Sequence, residues 1–332
     1  MSPFGGIGGT AGRYDRAWQT AFEHRAAAGK PACTDRLSTT EDWLMPTVFI
    51  AGATGYLGRF LAAEYKAQGW QVRALVRDAG RARASGLVAD AMIEAEATQA
   101  HTLVGTMAGA DLVVSALGIT RQRDGLTYWN VDYQANANLL AEALKAGVTR
   151  FAYIHVLGAE QMRHVPLVAA KQAFADKLIA APIAHTIIAP SGYFSDMSDF
   201  LDMARSGRVW LFGSGQNRIN PIDGQDLAQA TVELTRAGAE MAHVGGPDVL
   251  THNQIAELAF AALGRPVKIT HLPDVLRRIT LKVLPWITPR HISGPAQFFL
   301  TAMGIDMACE RYGTIRLKEH FADVAAQTPT KT

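Results

Sequence analysis

At 332 residues with 48% hydrophobic content, the chain can bury one large α/β core with a C-terminal addition, which excludes a fibrous or wholly disordered polypeptide. The 32 Lys and Arg against 30 Asp and Glu leave a formal charge of +2, so bulk charge calls for neither nucleic acid nor an acidic partner surface. Cys33 and Cys309 show no metal-ligand spacing, no run of about 18 apolar residues occurs, and no basic-then-apolar signal opens the chain, so free thiols and a soluble, cytoplasmic protein are expected.

Residues 1–44 are rich in Gly, Ala and Arg without a sustained apolar period and are expected to be disordered or loosely attached. Their GGIGGTAG stretch has no strand before it, so its backbone amides cannot be aimed at a phosphate. Met45 stands directly before the first strand and could serve as a second start.

From Pro46 short apolar runs alternate with helical periods, the pattern of βαβ units and a parallel sheet. TVFIAGA (47–53) is a buried strand; the helix after it shows Leu57, Phe60, Leu61 and Tyr65 on one face and stops at Gly69. QVRALVR (71–77) and ADLVVSALG (110–118) are further strands, followed by a long helix from Asn130 to Gly147 with Leu139, Leu140, Ala143 and Leu144 apolar. FAYIHVLG (151–158) and AHTIIAP (184–190) flank a helix over VPLVAAKQAFADKL (165–178). The fold class is α/β, a Rossmann-like doubly wound parallel sheet.

After about Asn220 the sheet signal thins and helices dominate. Thr251 and Gln254 form a capping box before a helix that closes at Gly264. In DVLRRITLKVL (274–284), Val275, Leu276, Ile279 and Val283 share a face that packs on its own domain; peripheral contact with a membrane surface is the alternative. The chain thus divides into the extension 1–44, a dinucleotide-binding domain 45–225 and a mostly helical substrate or cap region 226–332.

IAGATGYLGRF sets Gly52, Gly55 and Gly58 between a strand and a helix. Gly52 permits the tight turn, Gly55 lets backbone approach a pyrophosphate, and Gly58 lets helix pack close to strand. The phosphate then meets free N–H groups at the helix N-terminus, around Thr54, Tyr56 and Leu57. The second strand ends in Arg77, and Arg59 adds charge at the same mouth; guanidinium suits a 2′-phosphate, so NADPH is expected, although Asp78 argues for a ribose hydroxyl. Ser115, Ala116, Leu117 and Gly118 end a strand where the cofactor's ribose and nicotinamide would pass.

These features, with Lys171 on its helix, resemble the short-chain dehydrogenase/reductase superfamily in its atypical branch, over about 200 residues from Val48. Most members of that superfamily carry a proton-donating tyrosine four residues before the lysine and a serine on the preceding strand. Here those places read Leu167 and His155-Val156. Residues 124–160, 190–228 and 244–273 are further similar to the NADPH-dependent divinyl chlorophyllide vinyl reductases, which also keep the lysine without the tyrosine. The resemblance implies reduction of a conjugated C=C, such as a vinyl group on a tetrapyrrole, with Lys171 orienting the nicotinamide ribose. Hydride addition there delivers charge into a π-system, so a general acid worth about 10²–10⁴-fold at a ketone becomes dispensable. The rival expectation is a non-catalytic dinucleotide-binding protein, either a redox sensor or an assembly subunit of a respiratory complex.

Each remaining candidate has an ordinary alternative. Lys171 could be solvated helix surface. His155 could donate a proton or be a satisfied core histidine. Tyr193 and Phe194 could stack on a flat substrate and Asp196 could give a proton, or the stretch simply begins a helix with Ser195 or Asp196 as its cap. The histidines lack HxH or HExxH spacing and no GxSxG elbow occurs, so neither a metal site nor hydrolase chemistry is expected.

Overall fold

The computed structural model describes residues 45–119 and 125–327. The extension 1–44, with its glycine stretch and Cys33, lies outside the described residues.

The strands in chain order are β1 (Thr47–Ala51), β2 (Gln71–Val76), β3 (Ala91–Glu94), β4 (Leu112–Ser115), β5 (Arg150–Ile154), β6 (Ala184–Pro190), β7 (Val209–Phe212), β8 (Arg218–Ile219), β9 (Met241–Val244), β10 (Leu250–Thr251) and β11 (Ile269–Leu272). Seven form one sheet in the order β3-β2-β1-β4-β5-β6-β9, every neighbouring pair parallel. β10 pairs antiparallel with β8, and β11 pairs parallel with β7. The strand order turns back between β1 and β4, and a crevice opens at their carboxyl ends.

The helices are α1 (Tyr56–Ala67), α2 (Ala79–Ala84), α3 (Asn136–Lys145), α4 (Pro166–Ile179), α5 (Phe194–Arg205), α6 (Gly224–Arg236), α7 (His252–Ala262), α8 (Asp274–Ile287), α9 (Arg290–Ala302) and α10 (Leu317–Gln327). They cover both faces of the sheet, which is why β1 is buried throughout. Its Val48 and Ile50 join Leu57, Leu61 and Leu227 in one core, while Phe49 and Ala51 join Leu139, Phe174 and Leu178 in another. A third core, with Phe200, Leu211, Ile255, Phe260 and Phe321, lies among the C-terminal elements.

Three local features depart from the pattern in the sequence. The helix expected from Asn130 opens as a π-helical stretch, Trp129–Ala135, before α3. Asn136 Nδ2 donates to Val131 O (3.3 Å) and Asp132 O (3.0 Å), satisfying carbonyls inside that wider turn. The sheet also runs past residue 225: α6 packs on α1 and β9 supplies the outermost strand. β9 is only MAHV, with Met241 and His243 exposed, so it carries little apolar signal. Finally, the expected inward face of α8 points outward: Val275, Leu276, Ile279 and Val283 are exposed. The opposite side faces α9, where Arg277 Nη1 donates to Leu300 O (2.9 Å) and Leu281 and Leu284 are half-buried. No helix among the described residues is long and apolar enough to cross a membrane.

Candidate active site

The glycine loop leaves β1 at Gly52, whose φ of +81° is a left-handed conformation that L side chains rarely adopt. A Cβ there would stand 2.8 Å from Ala116 O, so Gly52 also lets the β4 end come close. Gly55 N–H donates to Gly52 O (3.0 Å), and Gly55 precedes α1. A Cβ on Gly58 would overlap the Gly52 carbonyl, so this glycine is what seats α1 against the loop. No acidic side chain lies in the first turn of α1, leaving its N–H groups and positive dipole end for an anion. The cradle fits a dinucleotide pyrophosphate.

Around this mouth, Arg77 is exposed directly after β2. Asp78 is engaged elsewhere, accepting from Arg81 N–H (2.8 Å) as the cap of α2. Arg59 reaches Thr54 O (3.2 Å) and Ser85 O (3.4 Å), tying the loop to the end of α2. Thr54 itself is exposed and does not line the cavity.

The β4 end divides by side. Ala116 and Gly118 line the cavity, whereas the Ser115 side chain is fully buried. Its hydroxyl donates to Asn136 Oδ1 and accepts from Leu117 N–H (3.3 Å). Leu117 packs on the core behind the sheet. Ser115 and Leu117 therefore brace the strand end, and the cavity side is left to their neighbours, because successive strand residues point to opposite faces.

Lys171 Nζ lies 3.4 Å from Asp132 Oδ1, donates to Ile154 O (3.2 Å) and sits 5.3 Å from the centre of the Tyr153 ring. The Asp132 side chain is wholly buried, and Ile119 N–H donates to its other oxygen (3.3 Å). Burial pushes the Asp132 carboxyl up to about 6 against the opposing pull of Lys171. A Cβ on Gly118 would come 2.7 Å from Asp132 Oδ1 and 3.1 Å from Lys171 Nζ. Asp132 escaped the sequence reading; its signal was a carboxylate among apolar positions of a helix.

His155 lines the cavity but is unsuited to give a proton. Burial holds it down to about 4, so it is neutral near pH 7. Its Nε2 stands 3.0 Å from Gln172 Oε1, an acceptor, so the single ring proton is on Nε2 and committed to Gln172. Gln172 Nε2 in turn donates to Asp176 Oδ1 (2.8 Å). The bare Nδ1 is left as a buried acceptor.

The acceptor side is a cavity of about 520 Å³ shared with the loop residues. Leu167 lines it in the tyrosine's place, together with Met203, Trp210, Phe298, Phe299 and Met303. Tyr193 lines it too and meets Tyr56 edge-on, with ring centres 5.7 Å apart. Phe194 does not: only 1% exposed, it turns into the C-terminal core beside His320, as the first residue of a helix whose inner face is apolar. Asp196 accepts from Tyr193 N–H (3.4 Å) at the helix start and also lines the cavity. Burial, reinforced by Asp199, raises it to about 6. The aromatic wall of α9, with Met303 just past its end, was missed because nothing local in QFFLTAM tells a cavity wall from a core. Among the described residues no cluster of three His, Cys, Asp or Glu suited to a metal occurs. Cys309 is a free thiol that burial pushes up to about 12.

A profile described as NAD(P)H-binding matches residues 52–236, more than half of the chain. The chain belongs to this NAD(P)H-binding family, in its atypical short-chain dehydrogenase/reductase branch. It is 26% identical over 262 residues to the chloroplastic divinyl chlorophyllide a 8-vinyl-reductase of Zea mays, covering 72% of this chain and 64% of that protein. It is 24% identical to the photosystem II assembly factor Ycf39 of Synechocystis, covering 70% and 72%. The fold is shared with the NADPH-dependent quinone oxidoreductase QOR2 of Escherichia coli, with a TM-score of 0.67 at 18% identity over 83% of this chain and 99% of that one. This chain spans less than two thirds of the vinyl reductase's length.

Proposed function

We propose that the protein is an NADPH-dependent reductase of a conjugated C=C bond in a large, flat, apolar acceptor, a vinyl-bearing tetrapyrrole such as divinyl chlorophyllide. The observation that carries this reading is the joining of the glycine loop to one apolar cavity of about 520 Å³ with Leu167 in its wall. Bound NADPH would supply a hydride. Gly52, Gly55 and Gly58 admit the pyrophosphate to the N–H groups of Tyr56 and Leu57, and Arg77, with Arg59, pairs with the 2′-phosphate. Lys171, steadied by Asp132 and Ile154 O, orients the nicotinamide ribose. Residues 226–332 contribute the wall that takes the macrocycle, and Tyr193 stacks on it. Leu167 keeps that wall dry where a ketone reductase would need a hydroxyl. Asp196, half-buried at the cavity and raised to about 6, gives the proton that completes the addition.

Incubation with NADPH and divinyl chlorophyllide tests the reading: a blue shift of the Soret band together with loss of NADPH supports it. Tight NADPH binding with an unmoved band opposes it and favours a non-catalytic assembly role of the kind named for the Ycf39 relatives.

A further inference from the structure

The outward face of α8 has no part in the reading above. Val275, Leu276, Ile279, Val283, Trp286 and Ile287 recur at spacings of three and four and so share one side of the helix. Trp286 is 88% exposed, Ile287 70%, Val275 60% and Ile279 50%, and no residue of α8 is buried. Exposed Ile292, in the first turn of α9, adds to this apolar surface. A cluster of large apolar side chains in water marks a surface meant for a partner.

The charge around the arc says which partner. Residues 265–300 hold six Lys or Arg against the single acid Asp274, although the whole chain carries only +2. Asp274 is taken up by Arg277 (2.6 Å) and Arg278 (2.7 Å). Lys282 and Arg278 border the apolar side along the helix, and Arg290 is exposed just beyond its end. A second copy of this chain would bring the same cationic border against itself. An anionic bilayer offers acyl chains to the arc and phosphates to its edge, and an exposed Trp is suited to the boundary between them. The 14 residues of α8 make a rod of about 21 Å that can lie in that plane.

We propose that α8 is a peripheral docking helix for an anionic lipid surface. Its apolar arc enters the headgroup boundary, and Arg278, Lys282 and Arg290 contact lipid phosphates. α9, which lends Phe298, Phe299 and Ala302 to the cavity wall, packs alongside, so docking sets an apolar cavity beside the bilayer.

Vesicle flotation of the full chain tests this. The protein is expected to float with vesicles of equal phosphatidylglycerol and phosphatidylcholine, far less with phosphatidylcholine alone, and to be released by salt. Ile279→Asp or Trp286→Ser should abolish flotation while the thermal melt stays at the wild-type temperature. Arg278→Ala with Lys282→Ala should weaken it about thirtyfold. Absence of flotation, or flotation unchanged by these variants, would overturn the proposal. So would a wild-type dimer in gel filtration that Ile279→Asp makes monomeric without any vesicle binding, since a second copy would then cover the face.

Discussion

Lys171 and Asp132 form an ion pair beneath the Gly118 backbone, with 3.4 Å between Nζ and Oδ1, the lysine nearly buried and the acid wholly so. The two residues come from the π-helical stretch and from α4, elements that pack directly on each other. A lysine fixed from two sides, by a carboxylate and by Ile154 O, is a preorganised donor rather than a solvated surface charge. Leu167 one turn earlier leaves it facing the cavity without a phenol between.

Removing the lysine leaves a buried carboxylate with no counterion, a change that costs about 3–5 kcal/mol when the charge persists. Lys171→Met should therefore lose most stability above pH 7 and much less at pH 5, where Asp132 can take a proton. Urea denaturation at the two pH values checks this, and equal losses would contradict the pairing.

In the intact protein the Asp132 carboxyl is raised from its ordinary value to about 6. The folded state then binds the proton more tightly than the unfolded chain, so this group's contribution falls as pH climbs from about 4 to about 6. Asp132→Asn should flatten the melting temperature over that interval. NADPH affinity should drop in the wild type below pH 6, as protonated Asp132 releases Lys171, and that inflection should vanish in the variant.

For cofactor choice, Arg77→Ala should weaken NADPH by about tenfold to a hundredfold, the range of a charge-assisted hydrogen bond, and NADH by less than twofold. Titration of both nucleotides by fluorescence measures the contrast. Equal losses would remove Arg77 from the 2′-phosphate.

The three loop glycines should fail in different ways. Gly58→Ala drives a Cβ into the Gly52 carbonyl and should cost about 1–3 kcal/mol of stability or more. Gly55→Ala meets Gly52 O at 3.2 Å and should fold while binding NADPH poorly. Urea unfolding beside nucleotide titration separates the two.

Asp196→Asn preserves a side chain able to hold the helix start while removing the acid. Turnover should fall by about tenfold, less than a general acid contributes at a ketone, with little change in melting temperature. Unchanged turnover would leave Asp196 as a cap alone.

What could be read from the sequence was local. Gly52, Gly55 and Gly58 announce themselves because one strand, one turn and one helix contain their whole argument, and the apolar runs of β1 and β4 do the same for the sheet. Asp132 was illegible because its meaning depends on Lys171, 39 positions along the chain. Phe194 and Tyr193 are adjacent aromatics that the start of α5 sends in opposite directions, one to the core and one to the cavity. The periodicity of α8 revealed an apolar face but not the side on which the rest of the protein would stand.

Single-turnover absorbance with NADPH and divinyl chlorophyllide decides whether the protein reduces a conjugated C=C bond. A blue shift of the Soret band with one NADPH oxidised per macrocycle is expected, with its near loss in Lys171→Met. Stoichiometric NADPH binding with no oxidation and no shift would contradict it.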